Sequence, residues 1–237
     1  MQAVVLAGGL AKRMHPRTLT VPKAMLEVAG RPFVEWQLEL LVASGVRDVV
    51  MCIAHLGEQI RDHVGDGARF GARVVWSEEG PELLGTAGAI RAALPLLADS
   101  FVVTYGDSYL PFDYAEPLRV LERHADCDGV MAIFKNEGKW DTSNVVSDGE
   151  WVLRYEKGGG ATEPRAFDHI DYGATALRRA VIAALPPAVA HGLDAIQRDL
   201  AARGRLRACV ARERFFEIGS PAGLAELERH IKNRVSP

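Results

Sequence analysis

The stretch from Val4 to Lys23, VVLAGGLAKRMHPRTLTVPK, joins a short apolar run to a glycine turn and two basic side chains. The apolar run is typical of a buried strand, and Gly8 and Gly9 follow it almost at once. Because glycine has no Cβ and accepts positive φ, backbone amides in such a turn can approach a ligand closely and attract anions. Arg13 adds a planar fork for phosphate oxygens, and Lys23 adds a mobile positive charge. Together these features predict a polyphosphate site.

A simpler interpretation of Gly8 and Gly9 is a turn that only joins two elements, because glycine pairs commonly mark turns. The spacing matches neither of two well-known phosphate fingerprints. A dinucleotide-binding strand is followed by G-x-G-x-x-G, whereas here the two glycines are adjacent and Ala11 follows them. The P-loop pattern G-x-x-x-x-G-K-[ST] is absent here as well. On these residues alone, both interpretations stay open.

The composition is that of an ordinary globular protein of 237 residues, with 48% hydrophobic and 25% charged side chains. A net charge of −3 gives no overall attraction to nucleic acid or acidic membranes, so any anion site has to be local. The three cysteines are scattered and odd in number, which argues against a disulfide framework. No signal peptide or transmembrane run is recognised. We therefore expect a cytoplasmic protein that binds neither nucleic acid nor membrane.

Hydrophobic patterning predicts alternating strands and helices in the first part of the chain. The expected strands begin near residue 3 and cover 48–53, 73–76, 101–104 and 130–134. The expected helices cover 31–44, 57–64, 85–94 and 115–124. This rhythm predicts an α/β fold with a Rossmann-like, mostly parallel sheet flanked by helices. Since no linker divides the chain, we predict a single domain over residues 1–237.

Near residue 136 the pattern changes, which predicts a small β-rich portion on the substrate side. Strands are expected at 144–146, 151–155 and 207–211, and a short segment at 215–218. Helices are expected at 178–185, 193–202 and 221–233. In the last of these, Ser220 is a candidate cap and Pro221 a candidate first residue.

Three further segments place chemically useful residues at element ends. Asp107 follows a buried strand, at the sheet edge where open α/β folds bind ligands, and a carboxylate there can hold a hard cation such as Mg²⁺. The segment 78–88, EEGPELLGTAG, opens a helix with small residues, and Thr86 is a candidate cap. Glu156 and Lys157 end a strand and suit sugar hydroxyls and a phosphate. The simpler interpretations are a turn, a capped helix and a solvated strand end.

These segments, taken in order, resemble the motifs of the sugar-1-phosphate nucleotidyltransferases, or NDP-sugar pyrophosphorylases. LAGGLAKRM and VPKAML are similar to the family's L-A-G-G-x-G-T-R-L and P-K-P-M, with Ala11 and Lys12 replacing Gly and Thr. The later segments YGD, LGTAG, YEKG, DYG and FFEIGSP are similar to the family's G-G-D, L-G-T-A-G, F-x-E-K-P, N-x-G and W-x-D-I-G-T-P. The short chain resembles the compact bacterial members, including those that act on heptose 1-phosphate and N-acetylmuramate 1-phosphate.

The resemblance implies a role for each matching position. It implies nucleotide-binding roles for Leu6, Ala7, Gly8, Gly9, Lys12, Glu78, Gly85, Thr86 and Ala87. It implies catalytic roles for Arg13 and Lys23, metal binding by Asp107 and Glu217, and sugar-phosphate binding by Asn144, Glu156, Lys157 and Asp171. Glu217 stands where the family has Asp, and its extra methylene changes the reach by about 1.5 Å. Residues 1–135 would mainly bind the nucleotide, and residues 136–237 the sugar phosphate.

The implied activity is a Mg²⁺-dependent reaction that joins an NTP and a sugar 1-phosphate to give an NDP-sugar and pyrophosphate. Its products would feed cell-surface polysaccharide or wall-sugar metabolism, and homo-oligomers are common in such families. The base and the sugar stay open, and so does a phosphorylated non-sugar alcohol. The main alternative is a non-catalytic nucleotide-sugar-binding regulatory subunit on the same fold. A nucleotide-sugar-using glycosyltransferase ranks last, because Asp107 supplies only one acid of a D-x-D motif.

Overall fold

The computed structural model describes residues 1–9, 12–80, 83–158 and 167–235. Leu10, Ala11, Pro81, Glu82, residues 159–166, the final two residues and the side chains of Lys12 and Val235 lie outside this description. The strands are β1 (Gln2–Leu6), β2 (Glu27–Val28), β3 (Arg31–Pro32), β4 (Asp48–Ile53), β5 (Arg73–Glu78), β6 (Ser100–Tyr105), β7 (Ser108–Tyr109), β8 (Gly129–Lys135), β9 (Val145–Ser147), β10 (Val152–Tyr155), β11 (His169–Arg178), β12 (Leu206–Ala211) and β13 (Phe216–Glu217). The helices are α1 (Phe33–Ala43), α2 (Gly57–Val64), α3 (Gly85–Ala92), α4 (Ala115–Arg123), α5 (Arg179–Ala183), α6 (Leu193–Ala202) and α7 (Pro221–Val235).

The central sheet is parallel in its middle. β1 pairs in parallel with β4 on one side and β6 on the other, and β5 extends the sheet beyond β4. β11 pairs antiparallel with both β6 and β8, and β12 lies parallel to β8 at the far side. The order is β12-β8-β11-β6-β1-β4-β5, and the β9–β10 hairpin joins at His169 of β11. The prediction of a mostly parallel sheet flanked by helices is confirmed.

Helices cover both faces of this sheet, because successive residues of each strand point to opposite sides. Ala3 and Val5 of β1 pack in one buried cluster with α1, α2 and α4, whereas Val4 packs in another with α3, α5 and α6. The strands are therefore buried on both sides and consist of almost continuous apolar residues. In the described parts of the chain, no helix has both the length and the apolar character required to cross a bilayer.

A third buried cluster joins α7 to the segments that precede α1. Leu227 and Ile231 of α7 pack with Phe216 of β13, and the same cluster contains Met14 and Leu26. These last two residues lie close in sequence to the basic side chains of the opening stretch. α7 therefore stabilises the loop that carries those side chains, as well as the short sheet formed by β7 and β13.

Two predicted helices begin one or two residues later than expected. The helix expected from residue 31 begins at Phe33, because Arg31 and Pro32 form β3, and a proline disfavours helical backbone at the residue before it. The helix expected from residue 178 begins at Arg179, because β11 runs through Arg178. The other predicted helices agree within two residues, a difference of the size common at helix ends.

Glu35 of α1 links three elements, and its replacement by Gln should destabilise the fold. Its carboxylate accepts hydrogen bonds of 2.8 Å from Arg31 Nε and His63 Nε2 of α2. Burial alone would raise the pKa of Glu35, but these hydrogen bonds outweigh it and hold the pKa below its ordinary value of 4.5. Removing the charge should therefore lower the free energy of unfolding at pH 7 by about 1–3 kcal/mol.

The sign of the pH dependence follows from the lowered pKa. The Glu35 contribution is fully present above the unfolded pKa near 4.5 and is lost as the pH falls through the folded pKa. Urea denaturation at pH 7 and pH 3 should show a wild-type advantage that shrinks at the lower pH. The matched control is Glu39→Gln, since Glu39 also contacts Arg31 but its side chain is 48% exposed. An equal loss in both variants would contradict the assigned role.

Candidate functional site

A cleft opens at the carboxyl ends of β6, β1, β4 and β5. β1 lies between β4 and β6, and the helices that precede these two strands, α1 and α3, pack on opposite faces of the sheet. Open α/β sheets bind ligands at such a point. The cavity there has a volume of about 230 Å³. It is lined by Leu6, Ala7, Gly8, Gly9, Lys23, Ala24, Cys52, Glu79, Leu83, Gly85, Thr86, Ala89, Tyr105, Gly106 and Asp107. Many of the predicted nucleotide-binding residues therefore share one cavity wall.

The glycine turn after β1 is held by its neighbours on both sides. Ala7 N–H donates to Cys52 O at 2.8 Å, and Gly106 N–H donates to Leu6 O at 2.9 Å. The φ angle of Gly8 is not positive, so the backbone conformation does not require a glycine at this position. The close packing around Gly8 does. A Cβ on Gly8 would lie 3.0 Å from both the Ala54 side chain and Glu79 Oε1. A larger residue would therefore crowd the cavity wall at this point.

Lys23 and Asp107 form the charged end of the cavity. Lys23 Nζ donates to Asp107 Oδ2 at 2.7 Å, and the two side chains are 18% and 26% exposed. The buried Gln37 of α1 fixes the backbone beside them, because its Nε2 donates to Tyr105 O at 2.7 Å and Ser108 O at 3.2 Å. Sequence reasoning missed Gln37, although a polar residue on an apolar helix face signals a buried partner.

Arg13 and Glu217 approach the same end from outside the cavity lining. A Cβ on Gly219 would lie 3.4 Å from Arg13 Nη2 and 3.9 Å from Asp107 Oδ2, so both groups flank one glycine. Glu217 is opposite Ser108 in the β7–β13 pair, and Ile218 N–H donates to Asp107 O at 3.0 Å. Two basic and two acidic side chains that are far apart in the sequence thus lie close together at this end of the cavity.

The pKa of the Glu217 carboxyl is raised at this edge of the sheet. The Glu217 side chain is exposed at its surface, but the protein around it removes much of the water that would stabilise its charge. This desolvation, together with the charges of Asp107 and Asp141, raises the pKa of Glu217 to about 7. Arg13 and Lys23 act in the opposite direction. Two neighbouring carboxylates that repel each other are a donor set suited to a hard divalent cation together with phosphate oxygens. Across the described residues, no group of three or more His, Cys, Asp or Glu side chains has the geometry of a metal site.

The segment after β5 is placed differently from the prediction in two respects. Glu78 pairs with Arg61 at the exposed edge, and Glu79 is the acid that lines the cavity. Thr86 does not cap α3, because that helix begins at Gly85 and Thr86 lies inside it. Its hydroxyl instead accepts the N–H of Leu193 at 2.7 Å and so caps α6. Gly85 has a φ of +71°, and a Cβ there would lie 2.7 Å from His191 O.

Ala87 is buried below the cavity, and its N–H donates to His191 O at 2.9 Å. The segment before α6 therefore accepts hydrogen bonds from backbone N–H groups in the first turn of α3, which have no partner within that helix. Sequence reasoning gave no signal for His191, because this contact joins residues about a hundred positions apart.

The predicted sugar-phosphate residues form a second group, outside the cavity lining. Asp171 accepts hydrogen bonds from Gly173 N–H at 3.0 Å and Gln197 Nε2 at 3.3 Å, and burial raises the pKa of its carboxyl. Asn144 Oδ1 accepts the backbone N–H of Asp171 at 2.8 Å. Tyr105 connects the two groups, because it lines the cavity and the charge of Asp171 adds to burial in raising its pKa.

Glu156 and Lys157 already have protein partners. Glu156 accepts a 2.8 Å hydrogen bond from Arg154 Nε, and Lys157 Nζ lies 3.3 Å from Asp194 Oδ1 at the start of α6. The sequence analysis missed Asp194 and Gln197, because polar residues between the apolar positions of a helix such as α6 normally face solvent. Since Thr86 caps α6, the nucleotide-side loop and the Lys157–Asp194 pair are connected through one helix end.

Comparisons with known proteins show which family this chain is similar to. A family model for the nucleotidyl transferase family matches residues 2–141. The N-acetylmuramate alpha-1-phosphate uridylyltransferase of Neisseria meningitidis serogroup B is 43% identical over 115 residues, covering 48% of this chain and 50% of that protein. The mannose-1-phosphate guanylyltransferase catalytic subunit beta of Danio rerio is 33% identical over 154 residues, covering 63% of this chain and 42% of that protein. The chain thus spans half or less of the length of these relatives.

The architecture matches a solved structure along its full length. HddC from Yersinia pseudotuberculosis, complexed with GMP-PN, superposes with a TM-score of 0.77 at 25% identity. The match covers 97% of this chain and 99% of that chain. With a family model that matches more than half of the sequence, this chain belongs to the nucleotidyl transferase family.

Proposed function

We propose that this chain transfers a nucleotidyl group from a nucleoside triphosphate to a sugar 1-phosphate. An oxygen of the sugar phosphate bonds to the α-phosphorus, and the bond from that phosphorus to the departing pyrophosphate breaks. The products are an NDP-sugar and pyrophosphate, and the reaction needs no protein nucleophile. Catalysis then consists of positioning the substrates and neutralising their charge.

The observation that carries this proposal is the convergence of Arg13, Lys23, Asp107 and Glu217 beside the glycine turn. Lys23 lies at the charged end of the cavity, where it can contact phosphates of both substrates. Arg13, on the outer side of the same end, is positioned to stabilise the charge that develops on pyrophosphate. The turn supplies space and backbone amides for the triphosphate.

Asp107 and Glu217 are the residues that would hold Mg²⁺. Asp107 lies in the turn between β6 and β7, and Glu217 lies in β13. Both are close to the cations Arg13 and Lys23, as expected for a site shared by a metal ion and phosphates. When bound, Mg²⁺ supplies positive charge to the phosphates around the reacting phosphorus. Asp107 additionally keeps the Lys23 ammonium at its place in the cavity.

The second group of polar residues is suited to the sugar phosphate. Lys157 can exchange its exposed contact with Asp194 for a phosphate, and Asp171 and Glu156 offer oxygens to hydroxyls. Residues 1–135 then serve mainly the nucleotide, and residues 136–237 mainly the sugar phosphate. We assign the products to cell-surface polysaccharide or wall-sugar metabolism, in the cytoplasm.

Pyrophosphate release tests the proposed function directly. The purified chain is incubated with Mg²⁺ and each of GTP, UTP, CTP and dTTP, crossed with a panel of sugar 1-phosphates. Release that requires one NTP and one sugar phosphate together supports the proposal and identifies both substrates. No release across the panel, with nucleotide binding still detected by calorimetry, would instead support the non-catalytic regulatory subunit.

A further inference from the structure

Glu79 lies at the end of the cavity opposite the Lys23–Asp107 pair. β5 ends at Glu78, and Glu79 N–H donates to Ile53 O of β4 at 2.9 Å, whereas Asp107 follows β6. β6 and β5 are separated by β1 and β4, so the two strand ends lie three strand spacings or about 14 Å apart, and the Glu79 side chain extends back toward Gly8 after β1. If the phosphates of a nucleotide lie near Lys23, its base therefore extends toward Glu79.

The Glu79 carboxylate is half-buried and only partly satisfied. Its Oε2 accepts the N–H of Leu84 at 3.1 Å, which fixes the orientation of the carboxylate. Oε1 faces the space that Gly8 leaves by having no Cβ, and within the described residues it accepts no hydrogen bond. Burial raises the pKa of Glu79, and the Leu84 amide opposes this change.

The other side chains lining this end of the cavity are uncharged, and the Thr86 hydroxyl keeps its proton to donate. Cys52, Leu83 and Ala89 present apolar or weakly polar surface, and the Thr86 hydroxyl already accepts the Leu193 N–H. In the part of the chain that the structure describes, Glu79 is thus the one carboxylate lining this end. A base placed here is distinguished mainly by what it presents to a carboxylate.

An ionised carboxylate accepts hydrogen bonds and donates none. The Watson–Crick edge of guanine presents two adjacent donors, N1–H and N2–H₂, which match the two oxygens. Uracil and thymine present one donor between two carbonyl oxygens, and cytosine and adenine present one donor beside an acceptor nitrogen. We propose that Glu79 selects guanine by accepting hydrogen bonds from N1–H and N2–H₂, so that the nucleotide substrate is GTP.

This inference rests on the proposed function, but it can be tested by binding as well as by turnover. Calorimetry with GTP, ITP, ATP and UTP separates the contributions, because ITP keeps the purine shape and N1–H of GTP and lacks only N2–H₂. The wild-type chain should bind GTP about 10-fold more tightly than ITP and about 100-fold more tightly than UTP, in the range of one bidentate base contact.

Glu79→Gln should remove most of this preference. The amide replaces one acceptor by a donor, so GTP affinity should fall about 10- to 100-fold while UTP affinity changes by less than about 3-fold. The GTP-to-ITP ratio should approach one in this variant. Glu122→Gln, on the exposed surface of α4, is the matched control for loss of a carboxylate and should keep the wild-type ratios.

The outcomes distinguish this inference from the proposed function. Turnover with UTP, CTP or dTTP in preference to GTP would overturn guanine selection and leave the nucleotidyltransferase assignment intact. Absence of turnover with every NTP would overturn the proposed activity, while the GTP-to-ITP binding ratio would still test Glu79. An equal loss of all nucleotides in Glu79→Gln would mean that Glu79 only holds the Leu84 loop, which would also overturn the inference.

Discussion

Lys23→Met should lower kcat for pyrophosphate release by about 10²- to 10³-fold. The Lys23 ammonium is held at 2.7 Å from Asp107 in a partly enclosed cavity, where a preorganised charge stabilises developing phosphate charge strongly. Removal of one such group in other enzymes costs rate factors of this order. Methionine keeps the length and apolar stem of the side chain, so the change is mainly the loss of charge.

The same substitution should leave the fold almost unchanged. Lys23 contributes one partly exposed ion pair, and such pairs add about 0–1 kcal/mol to stability. The control is Lys232→Met on α7, which removes a lysine paired with Glu228 on the surface. Thermal denaturation should give similar midpoints for both variants, while only Lys23→Met loses turnover. Near-wild-type turnover in Lys23→Met, and likewise in Arg13→Ala, would contradict the proposed mechanism.

The parallel half of the fold could be predicted because its signals are local. β1, β4 and β6 are buried on both faces, so each appears as a continuous apolar run between helices with one apolar side. The opening stretch of sequence also allowed the glycine turn and Lys23 to be predicted as parts of the site. The insertion of β11 between β6 and β8 could not be predicted in the same way, because it depends on pairing between residues far apart in the sequence.

The choice between Glu78 and Glu79 shows a limit of motif reading. Successive residues at a strand end point in opposite directions, so an error of one position exchanges a cavity residue for an exposed one. Glu78 pairs with Arg61 outside the cavity, and Glu79 lines it. Two adjacent acids gave no periodicity from which to choose, and the contact from Leu84 to Glu79 decides the matter only in three dimensions.

Thr86 shows a second limit, since its hydroxyl has two chemically reasonable uses. Position in the sequence favours a cap for α3, whereas the structure uses the hydroxyl for Leu193 at the start of α6. That contact spans 107 residues, so no local pattern reports it. The same applies to Asp194, whose contact with Lys157 connects α6 to the predicted sugar-phosphate residues.

Asp107→Asn should also lower kcat by about 10³-fold, and by more than Glu217→Gln. Asn keeps the shape of Asp but removes the charge that would hold Mg²⁺ and that orients the Lys23 ammonium. The Lys23 ammonium donates to Asp107, whereas it acts on Glu217 through charge, so the loss of Glu217 should affect mainly the Mg²⁺ requirement. Titration of activity with Mg²⁺ should show a higher half-saturating concentration for both variants, with a lower plateau for Asp107→Asn. Asp199→Asn on the exposed side of α6 is the control for an aspartate in a surface ion pair.

The double variant Lys23→Met/Asp107→Asn separates shared from independent action. If Asp107 acts partly by positioning Lys23, the losses should not multiply, and the double variant should be only slightly slower than the worse single variant. The coupling measured this way belongs to the 2.7 Å contact between the two side chains. Losses that multiply fully would mean that the metal-binding role of Asp107 and the phosphate-binding role of Lys23 are independent, and that the ion pair has no part in catalysis.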